Sequence, residues 1–332
     1  MNKKYQEFIE KFGRLRVQLN EDMRKHTYFK IGGPADIFFE PQTTAELVET
    51  LTFSKKNDIP FCVVGGGANV LFSDEGFCGL VIHNKVEEIK LVGFLGRISK
   101  KKSEVDRMFV QVSSGTSISR LARYTIEQGL GGLEFLISVP GTIGGALKIN
   151  AHFRPERNEF IGNSLHKATI FDEKGEIREV GLKYFKFSYD QSIIQETGDI
   201  VIQAIFSLRR EDKNQLWQKA QESINVRNKT QPLGVPSSGC IFRNISAADA
   251  QMFATPNKTT SAGYLIDKTG LKGAKIGEVE VSQIHGNYFL NLGEAKASDV
   301  VKLINLVKQE VKRKFNLDLK EEVFLIGDFK NG

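Results

Sequence analysis

Two glycine-dense segments and one cysteine motif hold most of the chemistry legible in this chain. Pro60-Phe61-Cys62-Val63-Val64 reads as a strand that runs into Gly65-Gly66-Gly67-Ala68-Asn69, a turn whose backbone N–H groups are unscreened by side chains. Such a turn can cradle a diphosphate without a lysine clamp. Val70-Leu71-Phe72 and Gly79-Leu80-Val81-Ile82 behind it read as strand, so no helix begins where a Rossmann turn needs one. The second segment holds Gly131-Gly132-Leu133-Glu134-Phe135 and Val139-Pro140-Gly141-Thr142-Ile143-Gly144-Gly145-Ala146, a density that serves close backbone approach, and loops against a ligand are expected there. The third is Ser237-Ser238-Gly239-Cys240-Ile241-Phe242-Arg243-Asn244. If it is extended, Cys240 and Phe242 face one side and Ile241 and Arg243 the other.

Cys62, Cys78 and Cys240 are odd in number and have no CxxC or Cys/His spacing, which suggests neither a disulfide framework nor a metal site. His83, His166 and His285 share no spacing and are assigned no chemistry.

The elements that must position these residues are legible from periodicity. Thr43-Thr44-Ala45-Glu46 resembles a capping box for a helix from about Ala45 to Lys56. Met108 to Val112 reads as strand, and Ser117 can cap a helix carrying Ile118, Leu121, Ala122 and Ile126. Ala168 to Phe171, the turn Asp172-Glu173-Lys174-Gly175 and Ile177 onward resemble a hairpin, and Ile200 to Leu208 alternates as a strand. Asn214 to Arg227 reads as a helix that starts a third unit. Ser298 is expected to cap a helix with Val300, Ile304, Val307, Val311 and Phe315 on one face, and Glu322 to Gly327 reads as a final strand.

A chain of 332 residues, 40% hydrophobic and 26% charged, is long enough for two or three units and too apolar for disorder. No stretch approaches the roughly 18 apolar residues of a membrane span, and the start lacks an apolar signal core, so a cytoplasmic protein without membrane insertion is expected. The net charge of +6 is modest, and its densest run, Lys100-Lys101-Lys102, falls with Gly93, Gly96 and Ser99 in a segment that reads as loop, which argues against a nucleic-acid partner. Oligomeric state is not legible.

Taken together and at these separations, Val64 to Asn69, Gly132 to Ala146 and Ser237 to Asn244 resemble the UDP-N-acetylenolpyruvoylglucosamine reductase family. The likeness runs from His26-Thr27-Tyr28-Phe29-Lys30-Ile31-Gly32-Gly33 through Ile276-Gly277 and His285-Gly286-Asn287 to Glu322. It implies an α+β chain with an FAD-binding fold of the vanillyl-alcohol-oxidase type in two α+β subdomains, followed by a C-terminal α+β substrate domain. The expected boundaries are 1–85, 86–212 and 213–321, with the strand in 322–332 a candidate to return to the first subdomain.

The resemblance also implies an activity: NADPH reduces FAD, and the reduced flavin gives hydride to the enolpyruvyl double bond of a UDP-sugar in peptidoglycan precursor synthesis. It places FAD against Val64, Gly65, Gly66, Gly67, Ala68, Asn69, Gly132, Pro140, Gly141, Thr142, Gly144, Gly145 and Ile200. Substrate contacts fall to Tyr189, Ser192, Arg227, Arg243 and Asn244. Cys240 stands where the family most often has a proton-donating serine, and a thiol, with a reference pKa of about 8.5, is a far stronger acid than a hydroxyl. Glu322 matches the catalytic glutamate. Two positions depart from the pattern: Asp190 stands where a Tyr-Arg-x-Ser motif has its catalytic arginine, and Phe324 where relatives often have a second arginine. Arg227, Lys229, His152, Arg154 and Arg157 are the candidates to restore the lost positive charge, and His152-Phe153 replaces the small residues expected after Asn150-Ala151. The departures keep two other readings open, a non-catalytic flavin or UDP-sugar binding relative and a flavin oxidase of the same fold.

Overall fold

The computed structural model describes residues 2–98 and 103–329. Lys100, Lys101 and Lys102 lie outside the described residues. The chain forms two compact units, one of Met1–Gln18, Phe38–Gly66 and Leu80–Arg227, the other of Leu19–Ile37, Gly67–Gly79 and Asn228–Gly332.

In the first unit, strand Phe61–Val64 pairs in parallel with Leu80 to His83 of strand Phe77–His83. Leu80, Val81 and Ile82 are all fully buried, as a continuous apolar run in a strand covered on both faces should be. Helix Thr44–Lys56 is capped by Thr43, whose Oγ1 accepts from Glu46 N at 3.1 Å, while Glu46 reaches back to Gln42 N at 2.7 Å.

Behind these lies an antiparallel sheet in the order Ile177–Gly181, Leu165–Phe171, Ile200–Arg210, Ser103–Ser113 and Ile89–Ile98. The segment with Gly93 and Gly96, expected as loop, is therefore strand up to Ile98, because its backbone pairs with Ser103–Ser113. Helix Ile118–Glu127, capped by Ser117, buries Ile118 and Leu121 against Val110, Val112 and Phe206 of that sheet.

Helix Lys213–Thr230 does not open a third unit. Its buried Leu216 and Ala220 pack on Ala122, Ile126 and Ile137, Trp217 Nε1 donates to Glu127 at 3.2 Å, and Lys213 pairs with Glu127. These contacts seat the helix in the first unit, and the division falls after Arg227 rather than before residue 213.

The second unit is built on an antiparallel sheet of Lys275–Ile276, Val279–Val281 and Phe289–Asn291, packed against helices Ala262–Thr269 and Ala297–Phe315. Val300, Ile304, Val307 and Val311 are buried as their spacing predicts. The cap of this helix differs from expectation. The N-terminal amides of Ala297 and Ser298 donate to the two carboxylate oxygens of Asp74, at 2.7 and 3.0 Å, so a residue distant in sequence does the work expected of Ser298. Strand Phe324–Ile326 pairs in parallel with Val70–Phe72.

Candidate active site

The first unit brings one glycine turn against the other glycine-dense segment. A Cβ at Gly65 would overlap Thr142 Oγ1 and lie 3.0 Å from Thr142 Cβ, and one at Gly66 would lie 3.2 Å from Gly141 Cα. Only residues without side chains let these backbones approach so closely.

The partner segment is held on a shelf that sequence reasoning missed, Ser114 to Thr116. Gly144 N donates to Ser114 O at 2.8 Å, Ile143 N to Thr116 O at 3.0 Å, and Ser114 Oγ accepts from Asn84 Nδ2 at 2.9 Å. The loops expected through Val139 to Ala146 become a helix from Ile143, whose first turn seats Gly144 beside that shelf and turns Gly145 toward Thr142. Gly132 is held instead by Glu134 Oε2, 2.6 Å from its N, and by Ser164 Oγ, 2.9 Å from its O; Ile200 pairs with Phe171. Ser138 Oγ is buried without a hydrogen-bond partner among the described residues. A backbone cradle that a single Cβ would fill, with an orphaned hydroxyl in the segment that forms it, fits the diphosphate of FAD.

In the second unit, Gly67 takes φ +65°, and a Cβ there would overlap the carbonyl oxygen of His26. Asn69 ties the end of the glycine turn to the C-terminal segment: its Nδ2 donates to Glu322 O at 3.2 Å and its O accepts from Phe324 N at 3.1 Å. Asn69 Oδ1 is buried without a hydrogen-bond partner among the described residues.

The same unit joins Cys240 to Glu322. Glu322 N donates to Ile241 O at 2.8 Å and Arg243 N to Lys320 O at 2.9 Å, so the two segments lie side by side. Asn287, 2% exposed, clamps the Cys240 segment: its O accepts from Ile241 N at 2.9 Å, its Oδ1 from Phe242 N at 2.9 Å, and its Nδ2 donates to Phe242 O at 2.7 Å. The segment is not the regular strand that strict alternation assumed. Cys240 and Phe242 each form an isolated bridge, to Tyr288 and Glu321, and the adjacent Ile241 and Phe242 are both fully buried. Asn244 Oδ1 accepts from Ala262 N at 3.0 Å, which makes it a brace for helix Ala262–Thr269. Burial pushes Cys62 up to about 12, and Cys78 is exposed.

Tyr189, Asp190 and Ser192 belong to the first unit, where they meet the Asn150–His152 segment. Asn150 Nδ2 donates to Ser188 O at 3.0 Å, and Ser192 Oγ donates to Lys148 O at 2.6 Å. Asp190 is 2% exposed, has φ +51°, and its Oδ1 lies 3.3 Å from His152 Nδ1. The His152 ring packs on Tyr189, at 4.9 Å between centroids, and on Phe160, at 5.3 Å. Burial pulls His152 down to about 4, so it is neutral at physiological pH despite the adjacent carboxylate. Of the other cations considered as replacements, Arg154 and Arg157 both turn to Glu222, at 2.9 and 3.6 Å, and Lys229 is exposed. Arg227 lies at the end of the first unit on helix Lys213–Thr230, partly exposed.

Comparison with known proteins bears on the family and the fold. Residues 231–326 match the C-terminal domain of UDP-N-acetylenolpyruvoylglucosamine reductase, and residues 35–181 match an FAD binding domain. UDP-N-acetylenolpyruvoylglucosamine reductase from Clostridium tetani is 34% identical over 97% of this chain and 96% of its own. The Halalkalibacterium halodurans protein of the same name is 36% identical over 94% and 95%. The crystal structure of the Thermus caldophilus reductase superposes with a TM-score of 0.70 at 28% identity, covering 94% of this chain and 98% of that one. Identities of 34 and 36% with near-complete coverage in both directions make this chain a member of the UDP-N-acetylenolpyruvoylglucosamine reductase family.

Proposed function

We propose that this protein reduces UDP-N-acetylglucosamine enolpyruvate to UDP-N-acetylmuramate at the expense of NADPH, in the cytoplasm, for peptidoglycan precursor synthesis. FAD, when bound, supplies hydride transfer between the nicotinamide and the enolpyruvyl double bond. Val64, Gly65 and Gly66 with Pro140, Gly141, Thr142, Gly144 and Gly145 are the residues to hold its diphosphate. Gly67, Ala68 and Asn69 continue that turn.

Cys240 is the proton donor. Hydride addition leaves negative charge on the carbon beside the substrate carboxylate, and the Sγ proton moves to that carbon, leaving a thiolate that solvent reprotonates. Glu322 is fixed through its backbone to Ile241, next to the thiol, where it can stabilise charge that develops during transfer. Asn287 orients the thiol through Phe242 and Ile241 and touches no reacting atom in this scheme. Tyr189 and Ser192 are the residues of the first unit proposed to contact substrate, with Arg227; Arg243 and Asn244 are those of the second.

The observation that supports this reading is the 2.8 Å bond from Glu322 N to Ile241 O, by which the Cys240 and Glu322 segments run on adjacent backbones. Purified, flavin-loaded protein should consume NADPH when given UDP-N-acetylglucosamine enolpyruvate and not when given UDP-N-acetylglucosamine. Equal rates with both sugars would assign the NADPH consumption to oxygen and overturn the proposal. Tight binding of the enolpyruvyl sugar without NADPH consumption would favour the non-catalytic alternative.

A further inference from the structure

The segment from His285 to Tyr288 sets two aromatic rings behind the Cys240 thiol, all within the second unit. Cys240 and Tyr288 form an antiparallel bridge. The 2.9 Å bond from Ile241 N to Asn287 O links the residue after Cys240 to the residue before Tyr288, which is the register of a non-hydrogen-bonded pair. Residues paired in this way carry their side chains on one face, with Cβ atoms about 4.5–5.5 Å apart. The Tyr288 ring is therefore the cross-strand neighbour of Sγ. Tyr288 is 5% exposed and Cys240 half-buried, so the ring walls one flank of a thiol that is not sealed in.

That ring is itself held in place. His285 packs against it in a T-shaped contact, with 4.9 Å between centroids and 65° between planes. Helix Ala262–Thr269 closes on His285 in turn: a Cβ at Gly263 would come within 2.8 Å of His285 Cε1 and 3.2 Å of Nδ1, and one at Gly286 within 2.7 Å of Gly263 O. His285 Nδ1 accepts from Asn287 N at 3.3 Å, which ties the imidazole to the residue that clamps the Cys240 segment. Burial, and then Lys272, pull His285 below its usual value and leave Nδ1 unprotonated for that bond. Close-packed on this side, the Tyr288 ring has little room to turn. A thiol has three staggered positions about χ1, and a fixed ring beside it removes those that point into the ring.

Resting on the reductase reading for the step it serves, we infer that Tyr288, backed by His285, is a positioning residue for Cys240. Its ring fixes the direction of the S–H bond, so that the carbon beside the substrate carboxylate is protonated on one face. In that step the carbanion pair takes the proton to form the C–H bond, the S–H pair stays on sulfur, and the thiolate recovers a proton from solvent. The carbon becomes a stereocentre as it does so. With Sγ turned away, water delivers the proton to either face and two diastereomers result.

The test compares flavin-loaded, full-length wild type, Tyr288→Leu and Tyr288→Phe, with UDP-N-acetylglucosamine enolpyruvate and NADPH, and reads the diastereomers of the product by proton NMR. Wild type should give a single diastereomer. Tyr288→Leu should lose about 10- to 100-fold in kcat, with KM for the sugar little changed, and should release both diastereomers. Tyr288→Phe keeps the ring and should restore the single diastereomer and most of the rate. Alkylation of the resting proteins by iodoacetamide, followed by mass spectrometry on each cysteine peptide, should be several-fold faster at Cys240 in Tyr288→Leu and unchanged at Cys62 and Cys78. If Tyr288→Leu does not fold, His285→Asn carries the test, since it keeps an acceptor for Asn287 N and removes the ring behind Tyr288; it should also release both diastereomers. A single diastereomer from the variant that carries the test, both diastereomers from Tyr288→Phe, or equal alkylation of Cys240 in all proteins would overturn the inference and leave the reductase reading intact. Wild-type protein that forms no UDP-N-acetylmuramate would remove the reductase reading, and this inference with it.

Discussion

Gly65→Ala tests the flavin cradle at its tightest point. The added methyl would overlap Thr142 Oγ1 and sit 3.0 Å from both Thr142 Cβ and Cγ2, so Thr142 or the glycine turn must move before the side chain fits. Overpacking of this sort costs about 1–3 kcal/mol. Because the same two backbones are the proposed diphosphate cradle, that cost should fall on the flavin-bound form and weaken FAD binding by about 5- to 150-fold. Gly66→Ala is the internal control, since its nearest neighbour, Gly141 Cα, lies 3.2 Å away and a shift of a few tenths of an ångström relieves it. FAD titration of apoprotein, monitored by quenching of flavin fluorescence, gives the affinities, and melting of the apoproteins separates cradle damage from general instability. Adding Thr142→Ala to Gly65→Ala should recover part of the loss, because it removes Oγ1 and Cγ2 and leaves only the Cβ contact. Wild-type FAD affinity in Gly65→Ala, or a larger loss in Gly66→Ala, would refute the cradle.

Three further outcomes follow from geometry and one from titration. Cys240→Ser should retain more activity than Cys240→Ala, since only serine keeps a transferable proton, and equal losses in steady-state turnover would remove the donor role. Asn287→Ala leaves the Phe242 N–H and C=O buried without their side-chain partner; it should cost about 2–4 kcal/mol in denaturant unfolding and lower turnover in the protein that remains folded. Asp74→Ala removes both oxygens that cap helix Ala297–Phe315 and should cost about 0.5–2 kcal/mol, with increased amide exchange in its first turn. His152 is held near 4 in the folded chain against an ordinary 6.5, so the unfolded chain binds the extra proton between these values. Stability is therefore fully present above about pH 6.5 and falls as pH drops toward about 4, by about 3 kcal/mol at most, and His152→Gln should flatten this part of the unfolding profile.

What was legible in the sequence was whatever is set by neighbours along the chain. Ser117 and Thr43 cap helices because their hydroxyls meet amides three residues on, and the hairpin through Asp172–Gly175 follows from its turn. The glycine turn after Val64 was legible for the same reason, as a run of residues that leave backbone open. What escaped was set by partners far away. Asp74 caps a helix 223 residues later, and nothing local marks it as a cap. Asn287 was visible only as part of a resemblance, although it is the clamp on the Cys240 segment. Helix Lys213–Thr230 looked like the start of a new unit because its pattern follows a strand, but a helix joins whichever core its apolar face meets, here Ala122 and Ile126. Among the departures from the family pattern, His152 and Asp190 are far apart along the chain and neighbours in space.

Reduction of the enolpyruvyl group adds two hydrogens to the UDP-sugar at the expense of one NADPH. Mass spectrometry of the nucleotide sugar after an anaerobic reaction with limiting NADPH tests it most directly. One UDP-N-acetylmuramate, heavier than the substrate by two hydrogens, is expected for each NADPH consumed. Recovery of unchanged enolpyruvyl sugar after NADPH has been oxidised would contradict it.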